Sequence, residues 1–226
     1  MPQTSRDAAH FPGGVPPRPP LQGEEKLTKL EHRLRRMHRS LISARAEILS
    51  IRSAEKSARH LAMHDGLTSL PNRLYFQQTL EQALLRSRSR GEVQALMYLD
   101  LDDFKQCNDR FGHPVGDALL RILAARLLYA LRAEDMVGRM GGDEFACMVA
   151  GSPTWQQLDA LAANLHRTVS GPAHVAGETL PLRISIGIAV AADEDLGADE
   201  LLRRADVAMY VAKRRQTGHE FYIPAP

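Results

Sequence analysis

Four carboxylates at the ends of two apolar stretches are the part of this sequence best suited to chemistry. In "ALMYLDLDDFKQCNDRFGHPVGDALL" the apolar run Ala95 to Leu99 ends in Asp100 and Asp102. Strand side chains repeat every two residues, so both carboxylates project to one side if the strand persists that far. Held at an aqueous strand end, such a pair binds a hard cation such as Mg²⁺, and a backbone carbonyl such as that of Leu101 can join it. On this segment alone a blander reading has equal weight, because an Asp-rich loop also caps the helix that follows it. A second segment, "RMGGDEFACMV" from Arg139 to Val149, sets Asp143 and Glu144 just ahead of another apolar strand. Gly141 and Gly142 precede them in a turn that lets backbone come close to a bulky ligand. Two acidic strand ends on neighbouring strands would make a metal site with room for a triphosphate.

The elements that must carry these groups follow from periodicity. Helix is predicted from about Asn72 to Ser89, strand from about Val93 to Leu101, helix from Val115 to Leu131, and strand around Phe145 to Val149. Then come a helix from Thr154 to Ser170, strands flanking "GETLPL" and ending near Val190, and a helix from Ala198 to Arg215. Helices and strands alternate with a hairpin inserted, which is an α/β domain whose sheet is covered by helices.

Ahead of that domain, residues 1–23 are rich in Pro and Gly and are expected to form a flexible tail. Residues 24–63 change character. Leu27, Leu30, Leu34, Met37, Leu41, Ala44, Ile48, Ile51 and Ala58 follow steps of three and four, with Glu55 interrupting the stripe. That heptad pattern predicts a coiled-coil stalk, and a second copy of the chain is the simplest cover for its seam, giving a parallel homodimer. "HRLRRMHRS" within it reads better as the solvated outer face of the coil than as a nucleic-acid or lipid contact.

Composition narrows the partners. With 29 Lys+Arg against 27 Asp+Glu the net charge is +2, so no global field selects nucleic acid or a membrane, and neither is expected to bind. The 44% hydrophobic and 25% charged residues are those of a folded globular chain. Cys107 and Cys147 lack the spacing of a zinc or redox pair and are expected to be reduced, Cys147 buried. No apolar run is long enough for a membrane helix or a signal peptide, so a cytoplasmic location is expected.

From about His64 to Ile223 the chain resembles the GGDEF diguanylate cyclase family. "DGLTSLPNR" at Asp65 to Arg73 is similar to the family's domain-entry signature, and "DLDDFKQCNDRFGHPVGD" at Asp100 to Asp117 to its metal and guanine segment. "RMGGDEF" is the namesake loop, "ISIGIA" at Ile184 to Ala189 resembles its second inner strand, and "ADVAMYVAK" at Ala205 to Lys213 its last helix. Five signatures in one order make coincidence negligible. The resemblance implies a nucleotidyl-cyclase or palm-like α/β fold at residues 64–226, with a central, mainly antiparallel sheet flanked by helices and preceded by the coiled-coil helix.

It also implies an activity: joining two GTP molecules into cyclic di-GMP with release of two pyrophosphates, by a dimer that uses Mg²⁺ or, in its place, Mn²⁺. By resemblance the metal is held by Asp100, the carbonyl of Leu101 and Asp143, with Glu144 in support, and Asp143 is the candidate base for the 3′-hydroxyl. Lys105 is placed to meet the triphosphate, though alone it would read as a solvated lysine. Phe104, Gly141, Gly142, Arg139 and Lys213 complete the GTP contacts. Asn108 and Asp117 match the guanine-reading positions, since an amide and a carboxylate pair with the purine edge and the carboxylate takes N–H groups that adenine lacks. Each could instead be a cap or turn residue. After Lys213 the family pattern "AK-x-x-G-R" gives way to "AKRRQTGHEF", with His219 where Arg is expected, and Arg214 or Arg215 as possible substitutes. "RAED" at Arg132 to Asp135 matches the family's product-inhibition site for cyclic di-GMP, with Arg86 as a secondary arginine, although an ion pair one helical turn apart would look identical. The rival function is a catalytically silent domain that binds GTP or cyclic di-GMP and signals through the stalk.

Overall fold

A computed structural model of the chain describes residues 22–191 and 196–224. The expected tail lies outside them apart from Gln22 and Gly23, which are the first residues of a helix. That helix, α1 (Gln22–Met63), has 42 residues and so is about 60 Å long at 1.5 Å per residue. The chain divides into two compact units, residues 1–56 and 57–226. The predicted stripe is solvent-exposed along its length, with Leu30 at 65% and Leu41 at 69%, so among the described residues nothing covers the seam. No helix among the described residues is long and apolar enough to cross a membrane.

The second unit starts with α2 (Arg73–Arg90), where the Asn72 side chain accepts from the Tyr75 amide and Gly91, at φ 65°, closes the helix in the left-handed region. β1 (Gln94–Leu101), α3 (Phe104–Phe111), α4 (His113–Ala130), β2 (Met136–Gly141) and β3 (Glu144–Val149) follow. Then come α5 (Trp155–Val169), whose Thr154 and Gln157 form a capping box, β4 (Pro172–Val175), β5 (Glu178–Pro181), β6 (Ile184–Ala191), α6 (Ala198–Arg215) and β7 (His219–Phe221). The main sheet has the order β2-β3-β1-β6-β7; every pairing is antiparallel except β6 with β7, and β4 and β5 form a separate hairpin.

Three elements go beyond the periodicity: α3, β2 and β7. α3 has only eight residues and buries none of them fully, although Phe104, Cys107 and Phe111 pack on the core, so its stripe is too short to stand out. β2, "MVGRMG", carries two glycines and an arginine at the sheet edge, and β7 has three residues. β5 runs through "GETLPL" itself rather than beside it.

β1 is buried at all eight positions because both faces of the sheet are covered. Met97, Leu99, Phe145, Cys147 and Ile186 pack with α4 and α5. Leu96, Tyr98, Ala146 and Ala189 face the other way, against α2 and α6. α6 approaches β6 closely at Gly187, where a Cβ would lie 2.0 Å from the Ala205 carbonyl oxygen and 2.1 Å from the Met209 amide nitrogen. Backbone cannot yield as a side chain can. Gly187→Ala is therefore expected to lower stability by about 3 kcal/mol in a urea titration, from overpacking against a rigid helix.

Candidate active site

The two acidic segments meet at one end of the sheet. Asp100 on β1 is the register partner of Glu144 on β3 and, on its other side, of Ser185 on β6. Opposed residues of antiparallel strands share a face, so Glu144, Asp100 and Ser185 form a row on the side covered by α6. The Leu101 amide donates to the Asp143 carbonyl at 3.2 Å, which joins the signature turn to the end of β1. β1 ends at Leu101, but the Asp102 carboxylate still reaches the Ser185 hydroxyl, which donates to it at 2.9 Å. Asp103 does not cap α3 with its side chain; it pairs with Arg183 at 2.8 Å.

α6 brings the Lys213 ammonium onto the Asp100 carboxylate. Burial pushes the Asp100 carboxyl above its ordinary range, Lys213 opposes that, and the charges of Asp143 and Asp102 add to it. Burial likewise disfavours the Lys213 charge, yet its bond to Asp100, with Asp102 and Asp143 nearby, holds that ammonium above its ordinary pKa. This corner has hard oxygen donors and already carries one cation, so its chemistry fits a divalent ion of the Mg²⁺ type. Such an ion needs only one or two carboxylates when phosphates supply the rest. Among the described residues no three His, Cys, Asp or Glu side chains form a metal cage by themselves.

The signature turn is braced from behind. Gly141 at φ 145° and Gly142 at φ 53° carry the chain round, with open space where side chains would stand. Arg139 donates from Nε and Nη2 to the Gly142 carbonyl at 3.0 and 2.7 Å, and from Nη1 to both Asp65 oxygens at 3.0 and 3.1 Å. Burial works against the Asp65 charge, but hydrogen bonds from Thr68 and the Arg139 guanidinium hold its carboxyl below the usual range. Arg139 thus spends its donors on the protein, tying the domain-entry turn to the GGDEF hairpin.

Glu144 is held too, by the Tyr98 hydroxyl, which donates to its Oε2 at 3.1 Å. Burial, and then the Glu144 charge, push the Tyr98 phenol far above its ordinary range, so it stays a neutral donor. Sequence reading missed Tyr98, Ser185 and the Asp65–Arg139 pair. The signal for Tyr98 was available, because it precedes Asp100 by two residues on one strand face.

On α3, Phe104 is partly buried against the core and Lys105 is exposed. Asn108 Oδ1 is buried without a hydrogen-bond partner, and a Cβ at Gly116 would lie 1.9 Å from it, so glycine there makes room for the amide. An orphaned buried acceptor of this kind is suited to an N–H of a ligand. Asp117 lies inside α4, whose N-cap is Gly112, so the capping reading of Asp117 fails.

Arg132 and Asp135 also differ from the helical ion pair considered for them. They lie in the turn between α4 and β2, where Asp135 accepts from the Arg132 amide at 3.1 Å and the Ala150 amide at 2.9 Å. Both line a cavity of about 200 Å³ with Gln157 and Leu161, and Arg86 on α2 does not line it. His219 pairs with Asp159 at 2.9 Å, Arg215 comes within 3.7 Å of Glu220, and Arg214 lies over the Tyr210 ring. All three are thus engaged away from Asp100. Both cysteines are free, Cys147 fully buried.

The family model described as "Diguanylate cyclase, GGDEF domain" matches residues 62–219. The chain belongs to the GGDEF diguanylate cyclase family. It is 39% identical over 163 residues to the diguanylate cyclase TpbB of Pseudomonas aeruginosa, covering 72% of this chain and 38% of that protein. The GGDEF domain structure of TpbB superposes with TM-score 0.68 at 38% identity, over 71% of this chain and 94% of that one. The coiled coil and GGDEF domain of DgcB from Caulobacter crescentus, solved with c-di-GMP, gives TM-score 0.76 at 25% identity, over 82% and 98%. The GGDEF fold expected from the resemblance is therefore the fold observed, and the chain spans well under half the length of full-length TpbB.

Proposed function

We propose that this chain is a diguanylate cyclase module acting in cyclic di-GMP signalling, which condenses two GTP into cyclic di-GMP. The observation that carries the reading is the convergence of both acidic segments on one corner, with Asp100 opposite Glu144 and the Asp143 backbone bonded to Leu101. Asp100, the Leu101 carbonyl and Asp143 would hold Mg²⁺ or Mn²⁺, with Glu144 in support. When bound, the ion neutralises phosphate charge and lowers the pKa of an oxygen nucleophile.

The residues divide the remaining work. Asp143 takes the proton of the 3′-hydroxyl as that oxygen bonds to the α-phosphorus of the partner GTP and the α–β anhydride bond breaks. Lys105 and Lys213 stabilise the charge that collects on the departing pyrophosphate. Gly141 and Gly142 let the triphosphate approach the backbone, while Arg139 keeps their turn in shape. Phe104 and Gly116 bound the Asn108 amide, whose orphaned oxygen accepts a guanine N–H, and Asp117 takes the N1–H and N2–H₂ edge. Adenine offers no such pair of donors.

One domain holds one GTP, so two must face each other, and the exposed apolar seam of α1 supplies a homodimer. Arg132 and Asp135, with Arg86 in a secondary role, form a product-inhibition site for cyclic di-GMP. The test is incubation of the full chain with GTP and Mg²⁺, followed by chromatography. Cyclic di-GMP and pyrophosphate should appear in a 1:2 ratio, and ATP should remain intact. GTP bound but unconverted would replace this reading with the silent binding module.

A further inference from the structure

We propose that Tyr98 is a positioning residue for Glu144, fixing that carboxylate on the face of the sheet where Asp100 lies. This rests on the cyclase reading above. Glu144 opens β3 next to the glycine turn and is only partly buried, so its long side chain has rotamers that lead into water. Something must choose among them.

Tyr98 is placed to do so. It stands two residues before Asp100, the register partner of Glu144, and is therefore the diagonal neighbour of Glu144 on the same face. The residue is 8% exposed and belongs to the core formed with α2 and α6, which restricts where its hydroxyl can lie. From there it donates to Glu144 Oε2 at 3.1 Å. A leucine or methionine would fill that core as well; what packing alone does not call for is a hydroxyl inside it. The same ring walls a cavity of about 430 Å³ that Arg73, Arg203 and Asp206 also line.

Outer residues that orient metal-supporting carboxylates typically cost 10- to 100-fold in metal affinity when lost. The experiment is Mn²⁺ binding to the full chain, followed by electron paramagnetic resonance at saturating 3′-deoxy-GTP, which lacks the attacking hydroxyl and cannot react. In Tyr98→Phe the Mn²⁺ dissociation constant should rise about tenfold, with the thermal midpoint moved by no more than about 2 °C. In a Glu144→Gln background the same substitution should change the constant less than about twofold, because its target is gone. Wild-type affinity in Tyr98→Phe, or a full loss repeated on top of Glu144→Gln, would overturn the positioning role alone. A fall in thermal midpoint with the Mn²⁺ constant unchanged would assign the tyrosine to packing and overturn it as well. Wild-type protein that holds no Mn²⁺ with the nucleotide would sink the cyclase reading and this inference with it.

Discussion

Replacing Asp143 by asparagine should lower cyclic di-GMP formation by about 10³-fold or more, equivalent to about 4 kcal/mol of transition-state stabilisation. The substitution keeps the shape of the side chain but removes one of the carboxylates proposed to hold the ion and the group proposed to accept the 3′-hydroxyl proton. The fold should not notice. The contact that Asp143 makes in the sheet is through its backbone carbonyl, which accepts from the Leu101 amide whatever the side chain is. Neighbouring Glu144 cannot take over, because its carboxylate is already engaged by the Tyr98 hydroxyl. The measurement is the initial rate of pyrophosphate release at saturating GTP and Mg²⁺, with a thermal melt alongside. A variant that melts like the wild type and keeps a tenth of its rate would remove Asp143 from the reaction.

Deleting Met1–Lys56 should turn a rate proportional to protein into one that rises with its square. The proposed pairing of the stalk would hold two domains at an effective concentration in the millimolar range. The isolated domains at 0.1 μM, a chosen assay concentration, must meet by diffusion, so the rate per chain should fall by about 100-fold or more under those conditions. The cut leaves the second compact unit whole, including the Met63 and Ala62 carbonyls that accept from the Asn72 amide and side chain. Any loss is then a loss of pairing rather than of the domain. Activity per chain that is undiminished at 0.1 μM, or independent of protein concentration after the deletion, would rule out the stalk as the device that brings two sites together.

Legibility in the sequence followed the strength of local physics. The long helices of the second unit are covered on one side, so their apolar stripes repeat visibly, and α6 appeared at its true bounds from Ala198 to Arg215. α3 and β7 were invisible because they are too short to show a period, and β2 because glycines and Arg139 replace the alternation expected of a strand. β1 was visible as an apolar run, but two-sided burial hid which of its residues face α6 and which face α4. Alternation alone puts Tyr98 and Asp100 on one face, but only the packed helices decide that this face is the one covered by α2 and α6.

The sequence by itself determined the chemical parts: four carboxylates ending two strands, a glycine turn between apolar runs, basic and amide groups at family spacing, and a heptad seam. Only the tertiary structure decided what those parts do to one another. Arg139, expected at a phosphate, is spent on Asp65 and Gly142, and Asp135 is bound by two backbone amides rather than paired along a helix. The physical reason is that residue type and spacing set what a group can donate or accept. Which donor meets which acceptor depends on segments 46 to 113 residues apart being packed side by side, as with Tyr98–Glu144 and Asp100–Lys213.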